Sequence, residues 1–298
     1  MKRNGHKEGV QIYKCWGCGR QFLGGERIDN KELWEEYVTQ KQTYSQLAKR
    51  HNCSPKTIQR RIDRYHSFRE VSVLRKIVVV MDTTYWGRCF GVMLFKDALT
   101  GEDLLWYFVK VETVALYVRG VNTLLQMGYE IVGIVCDGRR GLTKAFGSIP
   151  VQICQFHQQK TIKGYLTGKP KSEAARELKK LSDMLAKTDK ESFEGAFGGW
   201  CEKWDKYLKE RTEDPATGKS HYTHKHLRSA YLSILRNLPY LFTWYDLLGL
   251  GIPNTTNIID GHFSQLKARL KCHNGLSLKR KEKFVNEFFK ACKPQSNE

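Results

Sequence analysis

Two apolar runs that each lead to an aspartate constrain the fold of this 298-residue chain more than any other feature. Residues Lys76 to Met81 precede Asp82, and residues Ile131 to Cys136 precede Asp137. Short apolar runs rich in β-branched residues are typical of buried strands. We therefore expect two adjacent strands of one sheet, each ending at a carboxylate.

The elements around these runs predict an α/β fold. Residues Cys89 to Phe95 and Leu104 to Val111 have strand patterns, and Glu112 to Gly128 has the spacing of a helix. From residue 158 to residue 252 the apolar spacing is helical, and the polar loop from Arg211 to Ser220 interrupts it without a strand pattern. The predicted fold class is an α/β core interrupted by an all-helical insertion.

A third acid, Asp260, lies at the edge of an apolar stripe that includes Ile259 and Phe263 in a predicted helix. Three carboxylates can hold two Mg²⁺ or Mn²⁺ ions about 3.5 to 4 Å apart, an arrangement suited to phosphodiester chemistry. We therefore predict that Asp82, Asp137 and Asp260 are catalytic and bind Mg²⁺. Each acid taken singly has a structural interpretation as well, because aspartates at strand ends and helix caps are common.

The charge of the chain favours a nucleic acid as its partner. Fifty Lys and Arg residues against 31 Asp and Glu residues give a formal net charge of +19. A field of this sign attracts polyanions. The alternative is an enzyme that is basic without binding nucleic acid.

Residues 26–70 predict a helix-turn-helix DNA-binding domain. Ser54 and Pro55 mark the start of its third helix. A serine side chain at the N-cap accepts a hydrogen bond from a free backbone amide, and a proline at the first helical position has no amide hydrogen that would lack a partner. Ile58 and Ile62 share one face of this helix, and the opposite face is basic, as in a helix that enters the major groove. The candidate DNA-binding residues are Lys56, Thr57, Gln59, Arg60, Arg61 and Arg64. The alternative is the solvated charged face of an ordinary helical hairpin.

Residues 1–25 predict a partial zinc ribbon. Cys15 and Cys18 form a C-x2-C pair suited to Zn²⁺, but a structural zinc site normally has four ligands. No second C-x2-C pair lies nearby, and we expect the missing half of the ribbon upstream. The nine scattered cysteines indicate a reduced, cytoplasmic protein, nucleoid-associated when bound to DNA. No apolar run is long enough for a membrane helix.

Four longer motifs contain the candidate residues: VVVMDTTYWGRCFGVMLFKDA around Asp82, GIVCDGRRGL around Asp137, VQICQFHQQ with Cys154 and His157, and IPNTTNIIDGHFSQLKARLKCHNGLSLKRK around Asp260. Through these motifs, and over most of its length, the sequence resembles the Mutator-like DDE transposases of bacterial insertion sequences. The resemblance is to the branch that carries an N-terminal zinc-binding segment. In that family the third acid is usually glutamate, so Asp260 is shorter by one methylene, about 1.5 Å.

The resemblance implies an RNase H-like catalytic core. Its first part would span residues 71–157 and its last part 253–298, with the helical insertion at 158–252. The resemblance also implies that Cys154 and His157 support catalysis near the acids, although a buried thiol beside a capping histidine is the alternative.

Other basic and aromatic residues are candidates for DNA contacts. Arg139, Arg140, Lys267 and Arg269 are suited to holding the phosphate backbone near the metal ions, or else form a solvated basic rim. Aromatic residues of the insertion are suited to stacking on an unpaired base, but packing between helices is the favoured interpretation. These aromatic residues are Trp200, Trp204, Tyr222, Trp244 and Tyr245.

The function implied is that of a DNA transposase that binds terminal inverted repeats and catalyses metal-dependent strand cleavage and strand transfer. Its partners would be double-stranded DNA, at the transposon ends and the target, and a second copy of the chain when DNA is bound. Two alternatives stay open. One is a DNA-binding derivative with impaired catalysis, and the other is an RNase H-like nuclease or resolvase that cuts without joining.

Overall fold

The computed structural model describes residues 1–24, 28–67, 74–88 and 90–291. Within this part the chain is a mixed α/β protein, which confirms the predicted class in its coarse form. The described residues divide into two compact units. The first, here the N-terminal unit, contains the chain up to residue 67 and Leu266–Ala291; the second, the core unit, contains residues 74 to 265. No helix in the described residues is long and apolar enough to cross a membrane.

The N-terminal unit begins with a small antiparallel sheet and continues with short helices. Its elements are β1 (Lys2–Lys7), β2 (Val10–Lys14), β3 (Gln21–Leu23), α1 (Asn30–Val38), α2 (Tyr44–Arg50) and α3 (Pro55–Arg64). The third helix begins where the sequence predicts, and all three helices have well-formed caps. Asp29 caps α1, Thr43 and Gln46 form a capping box on α2, and Ser54 accepts from the Thr57 amide at 3.1 Å to cap α3.

The core unit contains a five-stranded sheet with helices around it. Its elements are β4 (Lys76–Trp86), β5 (Phe90–Asp97), β6 (Asp103–Val109), α4 (Val114–Gln126), β7 (Glu130–Cys136), β8 (Val151–Ile153), α5 (Gln155–Leu166), α6 (Glu173–Met184), α7 (Lys190–Lys209), β9 (Arg211–Glu213), β10 (Ser220–Tyr222), α8 (Lys225–Asn237), α9 (Thr243–Asp246) and the first part of α10 (Asn257–Lys271). The last described helix is α11 (Leu278–Ala291), which belongs to the N-terminal unit.

The sheet of the core unit has the strand order β6-β5-β4-β7-β8. Strands β4, β5 and β6 pair antiparallel, whereas β7 pairs parallel with β4 and β8 pairs parallel with β7. The parallel step from β4 to β7 needs a crossover, and α4 is the helix that lies between β6 and β7 in the chain. Ile77, Val79, Met81 and Phe95 pack with α4 residues such as Tyr117 in one buried cluster.

A second hydrophobic core holds the inserted helices together. It joins Ile153 of β8 to α5, α6, α7 and α8, and aromatic residues Phe193, Phe197 and Trp200 of α7 are nearly inaccessible to solvent. The Trp200 indole donates to the carbonyl of Ala174 at 3.1 Å. Of the aromatic residues considered for base stacking, Trp200 therefore belongs to the core of the helices, as the favoured interpretation predicted.

The prediction of an all-helical insertion is wrong. The span predicted as a loop forms the antiparallel hairpin β9–β10, with Thr212 opposite His221. A turn at Asp214 closes it, since the Asp214 carboxylate accepts from the Ala216 amide at 2.9 Å and Gly218 has a positive φ of 65°. Three-residue strands are too short to show an alternating pattern, so the sequence gives little sign of them.

The C-terminal helix α11 also departs from the predicted arrangement. The sequence assigned all of 253–298 to the catalytic core, but Leu266–Ala291 is part of the N-terminal unit. Arg280 of α11 binds the Asp63 carboxylate of α3 at 2.9 Å, and the Trp34 and Phe284 rings lie 6.1 Å apart. The segment that contains α1, α2 and α3 therefore completes its core with α11, a helix more than 200 residues further along the sequence.

Gly120 gives a test of the packing between α4 and the sheet. A Cβ at this position would lie 2.0 Å from Cζ of Phe95. We expect Gly120→Ala to lower the free energy of unfolding by about 1 to 3 kcal/mol, as overpacked cores do. Gly164→Ala is the matched control, because a Cβ there meets nothing within 4 Å. In an open helix position this change should stabilise by roughly 0.5 to 1 kcal/mol. Urea unfolding measures both, and equal effects of the two variants would contradict the packing.

Candidate functional site

Asp82 lies in β4 at the point where the parallel pairing with β7 ends. The last parallel pair is Val80 with Val135, whereas antiparallel pairing with β5 continues through Asp82 opposite Leu94. The sequence placed the end of this strand at Asp82, and that boundary is wrong because β5 provides partners as far as Trp86. Asp82 is therefore held by rigid strand backbone rather than by a loop.

Asp137 follows β7 directly, as predicted. The register of the parallel pair, continued by two residues, brings Asp137 level with Asp82. The Asp137 Oδ1 atom accepts from the Arg139 amide at 3.1 Å, which fixes the start of the loop. A series of hydrogen bonds lies near both acids. The Thr83 and Tyr117 hydroxyls are hydrogen-bonded to each other, and Tyr117 donates to the Glu112 carboxylate at 2.6 Å. Glu112 in turn forms an ion pair with Arg139.

Asp260 lies in the first turn of α10 and comes close to Asp82 and His157. Ligand atoms of these three residues all lie within 4.8 Å of one another, and they form the only such group of His, Cys, Asp or Glu residues in the described part of the chain. The structure thus brings together two of the three predicted acids with one predicted supporting residue. Asp137 is not a member of this group.

Thr256 links two members of this cluster, His157 and Asp260, to Cys154 through a single hydroxyl. Its Oγ1 atom lies 3.3 Å from the Cys154 sulfur, 3.3 Å from His157 Nδ1 and 3.2 Å from the Asp260 carboxylate. The Thr256 amide also donates to the Cys154 sulfur at 3.3 Å. Thr256 is fully buried, so its hydrogen bonds are shielded from water. Sequence reasoning missed Thr256, although it stands four residues before Asp260 in NTTNIID.

The electrostatics of the cluster are those of a crowded, partly desolvated acid site. Burial is the main cause that raises the pKa of Asp82 to about 7; the nearby Asp260 and Asp137 carboxylates add to this effect, and His157 and the Thr83 amide oppose it. The hydrogen bond with Cys154 raises the pKa of His157 to about 9 against the effect of burial. Burial acts to raise the pKa of Cys154, but hydrogen bonds with His157 and Thr256 lower it overall.

The two carboxylates of this cluster fit a divalent cation. Asp82 and Asp260 offer the carboxylate oxygens that Mg²⁺ and Mn²⁺ take as ligands. A cation between them would relieve the repulsion that raises the pKa of Asp82. His157, protonated below about pH 9, would act as a positive neighbour rather than as a ligand.

The basic face of α3 is narrower than the sequence predicts. Lys56, Arg60 and Arg64 are exposed and lie four residues apart, so they form one row along the helix. Arg61 instead binds the Ile28 carbonyl at 3.1 Å. Gln59 lies beside the Arg280 guanidinium, which accounts for its partial burial. Thr57 is partly buried near the cap, where its hydroxyl lies 3.0 Å from the Ser54 hydroxyl.

The remaining basic candidates fall into two groups. Arg139 and Arg140 lie in the loop after Asp137, with Arg139 paired to Glu112 at 2.5 Å and Arg140 exposed. Lys267 and Arg269 belong to the N-terminal unit, and the Arg269 guanidinium lies 5.2 Å from the centre of the Phe288 ring. The four residues therefore do not form one rim within a single unit.

Cys15 and Cys18 lie in the turn between β2 and β3. The Cys15 amide donates to the Arg20 carbonyl at 2.9 Å, and Gly19 has the positive φ that closes the turn. Backbone hydrogen bonds from Cys18 and Gly17 lower the pKa of Cys15, which favours the thiolate that a metal needs. Among the described residues, no other His, Cys, Asp or Glu joins this pair in a metal-binding group.

Comparisons with known proteins give little guidance. No protein-family model matches the chain, and no curated protein matches it. One similar solved structure is a chain in the cryo-electron microscopy structure of the simian T-cell lymphotropic virus intasome in complex with the PP2A regulatory subunit B56 gamma, with 11% sequence identity and a TM-score of 0.24. The similarity covers 69% of this chain and 66% of that chain, which is less than two thirds of its length. A score this low does not establish a shared fold.

The raised pKa of Asp82 predicts a pH dependence of stability in the metal-free protein. Below the ordinary pKa of 3.8 the carboxyl is protonated whether the chain is folded or not. Between 3.8 and about 7 the folded state binds more protons, so stability falls as the pH rises through this window. Asp82→Asn removes this contribution and should be more stable than the wild type at pH 8 by up to about 4 kcal/mol, since each pKa unit corresponds to about 1.4 kcal/mol.

Urea unfolding in the presence of a chelator, from pH 5 to pH 8, measures this difference. Adding Mg²⁺ at pH 8 should stabilise the wild type and leave Asp82→Asn unchanged. Asp205→Asn is the control, because Asp205 is an exposed acid paired with Lys209 on α7. A wild type and an Asp82→Asn variant with parallel pH profiles would show that Asp82 is not the desolvated acid described.

Proposed function

We propose that this protein is a DDE-type DNA transposase, related to the Mutator-like transposases of bacterial insertion sequences. It would bind the ends of its element and catalyse metal-dependent cleavage and joining of DNA strands. The observation that carries this proposal is the cluster of Asp82, Asp260 and His157 within 4.8 Å, at the level of the sheet where Asp137 follows the adjacent strand.

We propose an RNase H-like fold for the core unit. The sheet supports this with its order β6-β5-β4-β7-β8, in which antiparallel neighbours on one side of β4 give way to parallel neighbours on the other. The position of the inserted helices, between Asp137 and Asp260 in the chain, also supports it. The N-terminal C-x2-C hairpin is proposed as part of a zinc ribbon on the basis of its lowered Cys15 pKa and its tight turn.

The acids would hold the divalent cations of the reaction, Asp82 and Asp260 in one cluster and Asp137 from the neighbouring strand end. When bound, such ions activate the attacking oxygen and stabilise the leaving oxygen of a phosphodiester. The His157 imidazolium keeps positive charge beside the two carboxylates, because Cys154 raises its pKa. Thr256 fixes the relative positions of the His157 ring and the Asp260 carboxylate through its hydroxyl.

DNA binding fits the charge of the chain and the exposed row on α3. The net charge of +19 favours a polyanion, and Lys56, Arg60 and Arg64 offer three cations along one helix. Their partner would be duplex DNA at the ends of the element, with the protein acting as a dimer or larger oligomer when two ends are joined.

Cleavage of DNA that carries the sequences flanking the coding region tests the catalytic proposal. We expect nicked and joined products with Mg²⁺ or Mn²⁺ and none with a chelator. Asp82→Asn and Asp260→Asn should each reduce cleavage more than about 100-fold, since groups that merely orient metal ligands are worth about 10- to 100-fold. Asp205→Asn serves again as the control and should leave cleavage unchanged.

The outcomes of this assay separate the candidate functions. Cut products without joined strands would favour a nuclease or resolvase. Specific DNA binding with no cleavage in the presence of either Mg²⁺ or Mn²⁺ would favour a DNA-binding derivative with impaired catalysis. Cleavage that survives both substitutions would place the chemistry elsewhere in the chain and overturn the assignment of the acids.

The exposed row on α3 predicts the salt dependence of duplex binding. Arg60→Gln should weaken binding to a short DNA duplex and reduce the slope of log affinity against log salt concentration by about 1, as expected for one lost phosphate contact. Lys31→Gln removes the same charge from an exposed position on α1 and should change neither quantity. Fluorescence anisotropy at several salt concentrations measures both. An equal loss in the two variants would indicate a diffuse charge effect instead of a recognition helix.

A further inference from the structure

Two cavities open beside Asp137 in the core unit, between the loop that follows this residue and helix α8. The first has a volume of about 330 Å³ and reaches from Asp137 along α5 to Tyr165. The second has a volume of about 300 Å³ and extends to Lys144 and Tyr240. Both are lined by Gly138, Arg139 and Arg236, so the two cavities adjoin, and together they are called here the loop–α8 cleft.

The loop–α8 cleft is strongly basic. It is lined by four cations, Arg139, Arg140, Lys144 and Arg236. Its acidic lining residue is Asp137, in the cavity that His157 also lines. Arg140, Lys144 and Arg236 form no ion pair with any described residue, and buried Arg139 Nε has no hydrogen-bond partner there. Three of the four lining cations thus have no carboxylate partner among the described residues, which favours an anionic ligand in the cavity.

Each cavity also presents one aromatic ring. Tyr165 in the first cavity is 39% exposed, and Tyr240 in the second is partly buried against the two hydrophobic cores. A groove that combines cations with rings is typical of sites that hold single nucleic-acid strands, where bases stack and phosphates pair. The aromatic residues singled out from the sequence did not include either tyrosine.

Buried hydrogen bonds hold the wall of the cleft in place. Asn237 donates to Gln158 at 2.7 Å, Gln158 donates to Ser233 at 3.3 Å, and Arg236 donates to Asn237 at 3.3 Å. Gly138 allows the loop to approach this wall, because a Cβ there would lie 2.8 Å from the Asn237 amide nitrogen. The Arg236 backbone and the Asp137 loop are thus fixed relative to each other before any ligand binds.

We propose that the loop–α8 cleft binds a short unpaired DNA strand next to the phosphodiester that is cut. Arg236 and Lys144 would bind its phosphates, and Tyr165 would stack on a base. Cavities of about 330 and 300 Å³ are of the size that holds small ligands rather than a double helix, so the occupant is one strand. The proposal rests on the proposed function for the identity of the nucleic acid, and it adds that the DNA is unpaired beside the cut.

Binding of two DNA probes in buffer without Mg²⁺ or Mn²⁺ tests this proposal separately from catalysis. One probe is a blunt duplex, and the other is the same duplex with a short single-stranded arm. We expect the wild-type protein to bind the armed probe more tightly. Arg236→Gln and Lys144→Gln should each remove part of this preference and lower the salt slope of the armed probe by about 0.7, the value for one phosphate of a single strand.

Two further variants test base stacking and the effect of charge outside the cleft. Tyr165→Ala should weaken binding of the armed probe about 5- to 100-fold, but should have no effect when the arm lacks bases. Lys180→Gln, at an exposed position on α6 outside the cleft, is the control of equal charge and should preserve the preference. Thermal unfolding of each variant shows that the fold is intact.

The outcomes distinguish this inference from the proposed function. Equal affinity of the wild type for the two probes, or equal weakening of both probes by Arg236→Gln, would overturn the strand-binding cleft while leaving the cleavage assay unaffected. A protein that prefers the armed probe but never cleaves DNA would retain the cleft and overturn the transposase assignment.

Discussion

The parallel pairing of β4 with β7 is the interaction on which the candidate site depends. It is buried and its register is fixed by side chains that alternate between the two faces of the sheet. A shift by one residue would turn Asp82 to the opposite face and remove Val79 and Met81 from the cluster with α4. The hydrophobic cluster with α4 therefore fixes the orientation of the Asp82 carboxylate and stabilises the sheet.

Buried charges in the same unit show how unusual the acid cluster is. Lys96 binds Asp103 at 2.8 Å, and Arg75 binds both Asp97 at 2.9 Å and Glu102 at 2.8 Å, so those carboxylates have cations within contact distance. Asp82 has no Lys or Arg partner among the described residues and instead faces Asp260. His157 is the positive neighbour of these two carboxylates, but placing two partly buried carboxylates side by side still costs free energy, and such arrangements are common where a ligand or a reaction requires them.

The sequence predicted the parts of this arrangement that depend on local pattern. The apolar runs before Asp82 and Asp137, the cap at Ser54 and the apolar stripe next to Asp260 all have a short-range physical cause, and each gave the correct type of element. What it missed depends on partners far away in the chain. The extension of β4 to Trp86 needs β5, and the role of Thr256 needs Cys154. The placement of α11 with α3 needs Asp63 and Arg280, whose pairing no local pattern shows.

The contacts of Thr256 have a consequence for how the protein is made. Cys154 and Thr256 are 102 positions apart, and the inserted helices lie between them with a hydrophobic core of their own. Closing so long a loop lowers the chain entropy, although the penalty rises slowly with length and a prefolded insert shortens the effective loop. A ribosome must therefore release the chain beyond Asp260 before the acids can meet. Until then the growing polypeptide carries α1, α2 and α3 without α11, and Asp82 and His157 without Asp260.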